Sequence, residues 1–177
     1  MKTLFVLASV LVGLFLAAPN EVEAQRKTTE HSFEQYAVPV YRGPIAKPNF
    51  RSKPGSIRLR TVIRNGLKEG VNFAGHYAIV GAGCGTGCSF AYLVDVKSGR
   101  IFDFPLGGEK NYSLETDYRP DSSLLKARWI GNTLDDDNWS DHPMCVRQEF
   151  VLTGIAFKSL HQTKTRMKTI EACFAKP

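Results

Sequence analysis

Residues 76–104 read HYAIVGAGCGTGCSFAYLVDVKSGRIFDF. Residues 76–82 and 89–96 are crowded with aromatic and β-branched side chains, the composition of strands. Between them lies Cys84-Gly85-Thr86-Gly87-Cys88, and after them Lys97-Ser98-Gly99-Arg100, a turn that leads to a third strand at residues 101–104. Strands joined by connections this short run antiparallel.

The same reading extends downstream. Residues 105–122 form a polar loop, residues 124–130 another strand, and residues 132–144 a second polar loop. Residues 145–152 and 155–160 flank Thr153-Gly154 as a hairpin, and residues 165–170 are a candidate closing strand. Upstream, Leu59, Val62, Ile63 and Leu67 recur at helical spacing while Arg58, Arg60, Arg64 and Lys68 fill other positions. That pattern predicts one amphipathic helix over residues 57–68, capped by Ser56 and closed by Gly70. Residues 25–55 are polar and carry Pro39, Pro44, Pro48 and Pro54, an extended arm in which residues 36–38 and 40–41 could add an edge strand.

The predicted fold is α+β and mainly β: an antiparallel meander of six to seven short strands with one amphipathic helix packed on it. The domain plan is residues 1–24 as a signal peptide, 25–55 as the arm and 56–177 as a single β-rich domain.

The signal peptide rests on three features in order. Lys2 supplies a positive start, residues 4–18 (LFVLASVLVGLFLAA) are apolar without a charge, and Val22-Glu23-Ala24 offers a cleavage site. The apolar run is short for a bilayer span of about 20 residues. Export to the periplasm or beyond is therefore expected, with no membrane span after cleavage. Among 177 residues there are 23 Lys and Arg against 17 Asp and Glu, a formal charge of +6. Cleavage removes one cation and two anions, so the mature chain is slightly more basic. The basic residues lie along the chain with no polybasic block. Nucleic acid is a poor partner for an exported protein. An anionic envelope component or a secreted protein suits the charge better.

Cys84, Cys88, Cys145 and Cys173 all follow the signal. An even number of cysteines in an exported chain predicts two disulfides, for which three connectivities are open. The flexible Gly85-Thr86-Gly87 loop favours Cys84–Cys88, which leaves Cys145–Cys173. Redox chemistry of the thioredoxin kind requires Cys-x-x-Cys at a helix start. Here the cysteines are one residue too far apart and lie between strands. Only His76 is close enough to join them in a metal site, which is too few ligands.

Asn72-Phe73-Ala74-Gly75-His76-Tyr77, then Gly83-Cys84-Gly85-Thr86-Gly87-Cys88, then Asp95-Val96-Lys97-Ser98-Gly99-Arg100 resembles a family of exported bacterial proteins of unknown function. In that family an Asn-Phe-Ala-Gly-His-Tyr stretch precedes a Gly-Cys-Gly-x-x-Cys element and an Asp-x-x-Thr/Ser-Gly hairpin. The resemblance covers most of residues 57–160 and implies a small exported domain. It implies no catalytic residues.

His76 and Tyr77 are candidate functional residues, since Ala74-Gly75 before them lets a backbone or ligand approach. A general base at His76 would need an acid such as Asp95 or Asp103 and a hydroxyl such as Ser89 or Tyr77. No spacing selects one of these, so His76 reads first as a histidine hydrogen-bonded to a neighbouring turn. Ser98-Gly99-Arg100 is similar to a tripeptide that some periplasmic inhibitors of lysozyme insert into the enzyme, which makes Arg100 a candidate. A hairpin with a glycine bulge needs the same residues. Residues 135–142 (DDDNWSDH) are the densest acidic stretch, with Trp139 as a candidate contact residue. A calcium loop needs glycine sixth and glutamate twelfth. Counting from Asp135 those places hold Ser140 and Val146, and from Asp137 they hold His142 and Gln148. No metal, cofactor or catalytic residue is nominated. The expected function is a non-catalytic binding or inhibitor-type module of the cell envelope, and the alternative is a small periplasmic hydrolase or transferase centred on His76.

Overall fold

The computed structural model describes residues 30–131 and 143–175. The signal segment and the acidic stretch with Trp139 lie outside the described residues. From His31 onward the chain forms one compact unit.

The protein is mainly β, and its described residues form seven strands in two antiparallel sheets. Strands β1 (Tyr77–Gly85), β2 (Cys88–Asp95) and β3 (Ile101–Gly107) form the first, in chain order. Strands β4 (Tyr112–Tyr118), β5 (Leu124–Gly131), β6 (Met144–Thr153) and β7 (Ala156–Arg166) form the second, again in chain order. The meander is thus real but divided. The division falls where Gly107 and Gly108 take φ of 137° and 73° and Ser113 takes 53°, a run of left-handed backbone that ends one sheet and starts the other.

Four expectations are corrected here. Residues 105–122 are not a plain loop, because they hold β4. Residues 165–170 do not add a strand: Thr165 and Arg166 end β7, and Ile170 opens α2 (Ile170–Phe174), capped by Thr169 Oγ1 accepting from Ala172 N. The helix is shorter than residues 57–68. A 3₁₀ segment (Pro54–Leu59) precedes α1 (Arg60–Lys68), and Ser56 is a buried residue of that segment whose Oγ donates to Lys53 O. In the arm, the predicted edge strand is reduced to one bridge, Ala37 with Ser122.

Alternation along β1 and β2 gives the first sheet two apolar faces. On one, Ala78, Val80, Val94, Val96 and Ile101 meet Ile63 and Leu67 of α1. On the other, Tyr77, Ile79 and Leu93 join Phe73 and meet Leu125, Phe150 and Leu152 of the second sheet. The layers are therefore helix, three strands, four strands. Ile63, Phe73, Leu93 and Leu125 are fully buried, each stabilising by about 1.5–3 kcal/mol relative to exposure. Gly66 lets α1 approach β1, since a Cβ there would stand 2.7 Å from a Val80 methyl.

Cys84 is joined to Cys88 across the β1–β2 turn, and Cys145 to Cys173, which ties α2 to β6. No cysteine is free. The chain is a disulfide-stabilised small domain with the pairing that its spacing favours.

Candidate functional site

The Asn72–Tyr77 motif holds three parts of the chain together. Asn72 Oδ1 accepts from Ile79 N at 2.7 Å, and its Nδ2 donates to Ile79 O at 3.0 Å, so a side chain completes the edge of β1. Phe73 stacks on Phe157 at 5.9 Å and stands edge-on to Tyr118. Ala74 N and Gly75 N donate to Ser122 O and Pro120 O, while Gly75 O accepts from Tyr41 N. Gly75 has φ of 80°, and a Cβ there would stand 2.6 Å from Pro39 O, so both conformation and space demand glycine. Tyr77 Oη donates to Gly154 O at 3.0 Å, linking the motif to the β6–β7 turn, and burial raises its phenol above the ordinary range.

His76 is the member with the least structural work. Its backbone O accepts from Val96 N, and its half-buried ring lies 4.2 Å from that of Tyr77. The expected hydrogen bond from its ring to a turn is absent among the described residues. Burial, then the Lys97 ammonium, pull the imidazole below its ordinary pKa, and Asp95 pulls weakly upward. Asp95 itself is engaged by the turn: Oδ1 accepts from Lys97 N, and Oδ2 from Ser98 Oγ at 2.5 Å. Asp103 holds Lys53 Nζ at 2.6 Å. Neither acid hydrogen-bonds the imidazole among the described residues. Two open surface clefts, of about 660 and 310 Å³, do not include His76.

Ser98-Gly99-Arg100 forms the β2–β3 turn, with Gly99 N donating to Asp95 O. The arm covers it. Asn49 N donates to Gly99 O at 2.8 Å, and Asn49 bridges Arg100 in parallel. Gly99 is buried at φ 73°. Arg100 is exposed, its guanidinium 5.2 Å from the centre of the Phe102 ring. A tripeptide engaged in this way is a structural hairpin whose arginine stays at the surface.

A feature that chain order conceals emerges from the arm and α1. Residues 42–70 contain Arg42, Lys47, Arg51, Lys53, Arg58, Arg60, Arg64 and Lys68, and the single acid Glu69. No run of consecutive basic residues occurs here, but acids are absent from residues 42–68. Arg60 and Arg64, one turn apart on α1, both stand over the Phe50 ring of the arm, at 5.9 and 5.8 Å. From Phe50 the arm continues alongside β3, where Ser52 Oγ accepts from Ile101 N and Lys53 meets Asp103. Lys97, over the Tyr41 ring at 5.2 Å, extends the basic area to the turn. Arg42, Lys47, Arg51, Arg58, Arg60 and Arg64 are exposed and have no carboxylate partner among the described residues.

Elsewhere several charges are paired. On the outer face of the second sheet Arg128 holds Glu115 at 2.7 Å, and Glu149, 7% exposed, meets His31 at 2.6 Å and Lys126 at 3.7 Å. Arg119 is shared between Asp121 and Glu34, which raises its pKa and lowers that of Asp121. The arm and α1 stand out by carrying eight cations and no acid over residues 42–68. No group of three or more His, Cys, Asp or Glu suited to a metal occurs among the described residues.

No family model, curated protein or solved structure matches this chain.

Proposed function

We propose that the protein is an exported, non-catalytic binding module whose ligand is anionic and docks on the basic side chains of residues 42–68 together with Lys97. One observation carries this reading: residues 42–68 hold eight cations and no acid, and six of these cations are exposed with no carboxylate partner among the described residues. Nature pairs or solvates surface charge at little cost, but concentrating one sign against self-repulsion creates a field that draws an opposite partner. The guanidinium groups suit oxyanions, which they engage in pairs of hydrogen bonds. Two disulfides and the N-terminal Lys2, apolar run and Ala24 support the exported setting. The likeness of residues 72–77, 83–88 and 95–100 to the exported bacterial family supports the same setting.

The test is binding of a fluorescent inorganic polyphosphate to the disulfide-intact chain from Gln25, read by anisotropy across a salt series. Saturable binding that weakens steadily with salt is expected. Arg58→Gln, Arg60→Gln and Arg64→Gln combined should weaken it by at least about tenfold, at roughly 0.5–1 kcal/mol per exposed charge. Binding that ignores both salt and these substitutions would overturn the assignment.

A further inference from the structure

The basic face carries apolar groups that a water-soluble polyanion would not need. Ile57 is 47% exposed and Ile45 is 43% exposed, two of the four large apolar side chains that stand out from the described surface. They flank α1 at opposite ends. Ile57 belongs to the 3₁₀ segment that runs into Arg60, with Arg58 as its neighbour. Ile45 Cδ1 lies 4.0 Å from where a Cβ on Gly70 would stand, just past the last turn of the helix. Between them Arg60, Arg64 and Lys68 follow one another four residues apart along α1.

We propose that this face seats the protein on an anionic lipid bilayer. The arginines and lysines contact lipid phosphates, and Ile57 and Ile45 enter the headgroup zone. The inference rests on the anionic-ligand reading above and names its partner. Interfacial attachment requires apolar and basic elements close together, and exposed Ile57 and Ile45 stand at the two ends of a helix that carries Arg60, Arg64 and Lys68. α1 has nine residues, and no described helix is long and apolar enough to cross a membrane, so contact would be peripheral. Side chains at Arg60 and Arg64 are held over Phe50, which reduces the ordering needed on contact.

Flotation with vesicles tests this, using the disulfide-intact chain from Gln25, which contains every core residue and both disulfides. Phosphatidylcholine vesicles are compared with vesicles holding phosphatidylcholine and phosphatidylglycerol, and polyphosphate binding is measured in parallel. The protein should float only with the anionic vesicles. Arg60→Gln with Arg64→Gln should lower that partition by roughly thirtyfold. Ile57→Ser should lower it by roughly fivefold while leaving polyphosphate affinity unchanged, since it removes apolar contact alone. Circular dichroism confirms that each variant is folded. Polyphosphate binding without flotation overturns the bilayer proposal and leaves the anionic-ligand reading standing. Flotation indifferent to Ile57→Ser also overturns it. Binding to neither probe overturns both.

Discussion

The side-chain amide of Asn72 makes both hydrogen bonds that a neighbouring strand would make to Ile79, at 2.7 and 3.0 Å. It closes the free edge of β1 at the level of the core, where Ile79 is 8% exposed. Asn72→Ala leaves a backbone donor and an acceptor unsatisfied, each costing about 1–3 kcal/mol. Urea unfolding should therefore show a loss of at least about 2 kcal/mol. Asn72→Asp keeps the acceptor for Ile79 N and loses the donor to Ile79 O, so it should fall between the two. An unchanged midpoint for Asn72→Ala would contradict the role given to the motif.

The two disulfides should differ in access and in weight. Cys84 is exposed on the β1–β2 turn, whereas Cys145 and Cys173 are 8% and 2% exposed. Mild reduction of the folded protein followed by alkylation should label Cys84 and Cys88 first. Chain entropy assigns about 2 kcal/mol to the short loop and about 3.5 kcal/mol to the long one. The Cys145→Ala, Cys173→Ala pair should accordingly lower the melting temperature more than the Cys84→Ala, Cys88→Ala pair.

Gly99 fastens the arm. A Cβ there would stand 2.0 Å from Lys47 O, and φ is 73°. Gly99→Ala should push residues 46–52 off the β2–β3 turn. Trypsin would then cut after Arg51 faster by an order of magnitude or more. Gly55→Ala, where a Cβ meets nothing within 4 Å, should leave the cleavage rate unchanged.

How much of this was legible in the sequence depends on the range of the forces involved. Period-2 patterning in residues 76–104 and the spacing of Cys84 and Cys88 are local, and they led to the first sheet and the turn disulfide. β4 was within reach: Tyr112, Leu114, Thr116 and Tyr118 alternate, but Gly107-Gly108 before them reads as a loop. α2 has five residues, too few for periodicity to register. The split into two sheets depends on positive φ at Ser113, which a serine does not announce. Among the candidate residues, Tyr77 was placed in the core and Arg100 at the surface, and His76 gained no catalytic companions. The basic face was missed because it is assembled from an irregular arm, a helix and a turn. The docking of Phe50 beneath Arg60 and Arg64 leaves no trace in composition.

His76 should make stability depend on pH in a defined direction. Its folded pKa lies below the ordinary imidazole value of 6.5, first through burial and then through Lys97. Between the folded and unfolded pKa values the unfolded chain binds more protons, so stability rises with pH across that window. It is fully present above 6.5 and is lost as pH falls towards the depressed value. His76→Gln should flatten this part of the profile. In NMR titration the His76 ring should titrate below 6.5, and Lys97→Ala should move it upward. A His76 midpoint above 6.5 in the parent protein would contradict the packing described for its ring.

Location, and not total charge, is the centre of this account, and matched charge reversals separate the two. Arg60→Glu with Arg64→Glu changes the net charge by as much as Lys158→Glu with Lys164→Glu on β7, where both lysines are also exposed. Polyphosphate affinity of both variants is measured at one ionic strength near 0.1 M, where the screening length is about 10 Å. Reversal on α1 should abolish saturable binding, while reversal on β7 should weaken it by no more than about threefold. Equal losses from the two variants, or a greater loss from β7, would contradict the claim that the arm and α1 form the binding face.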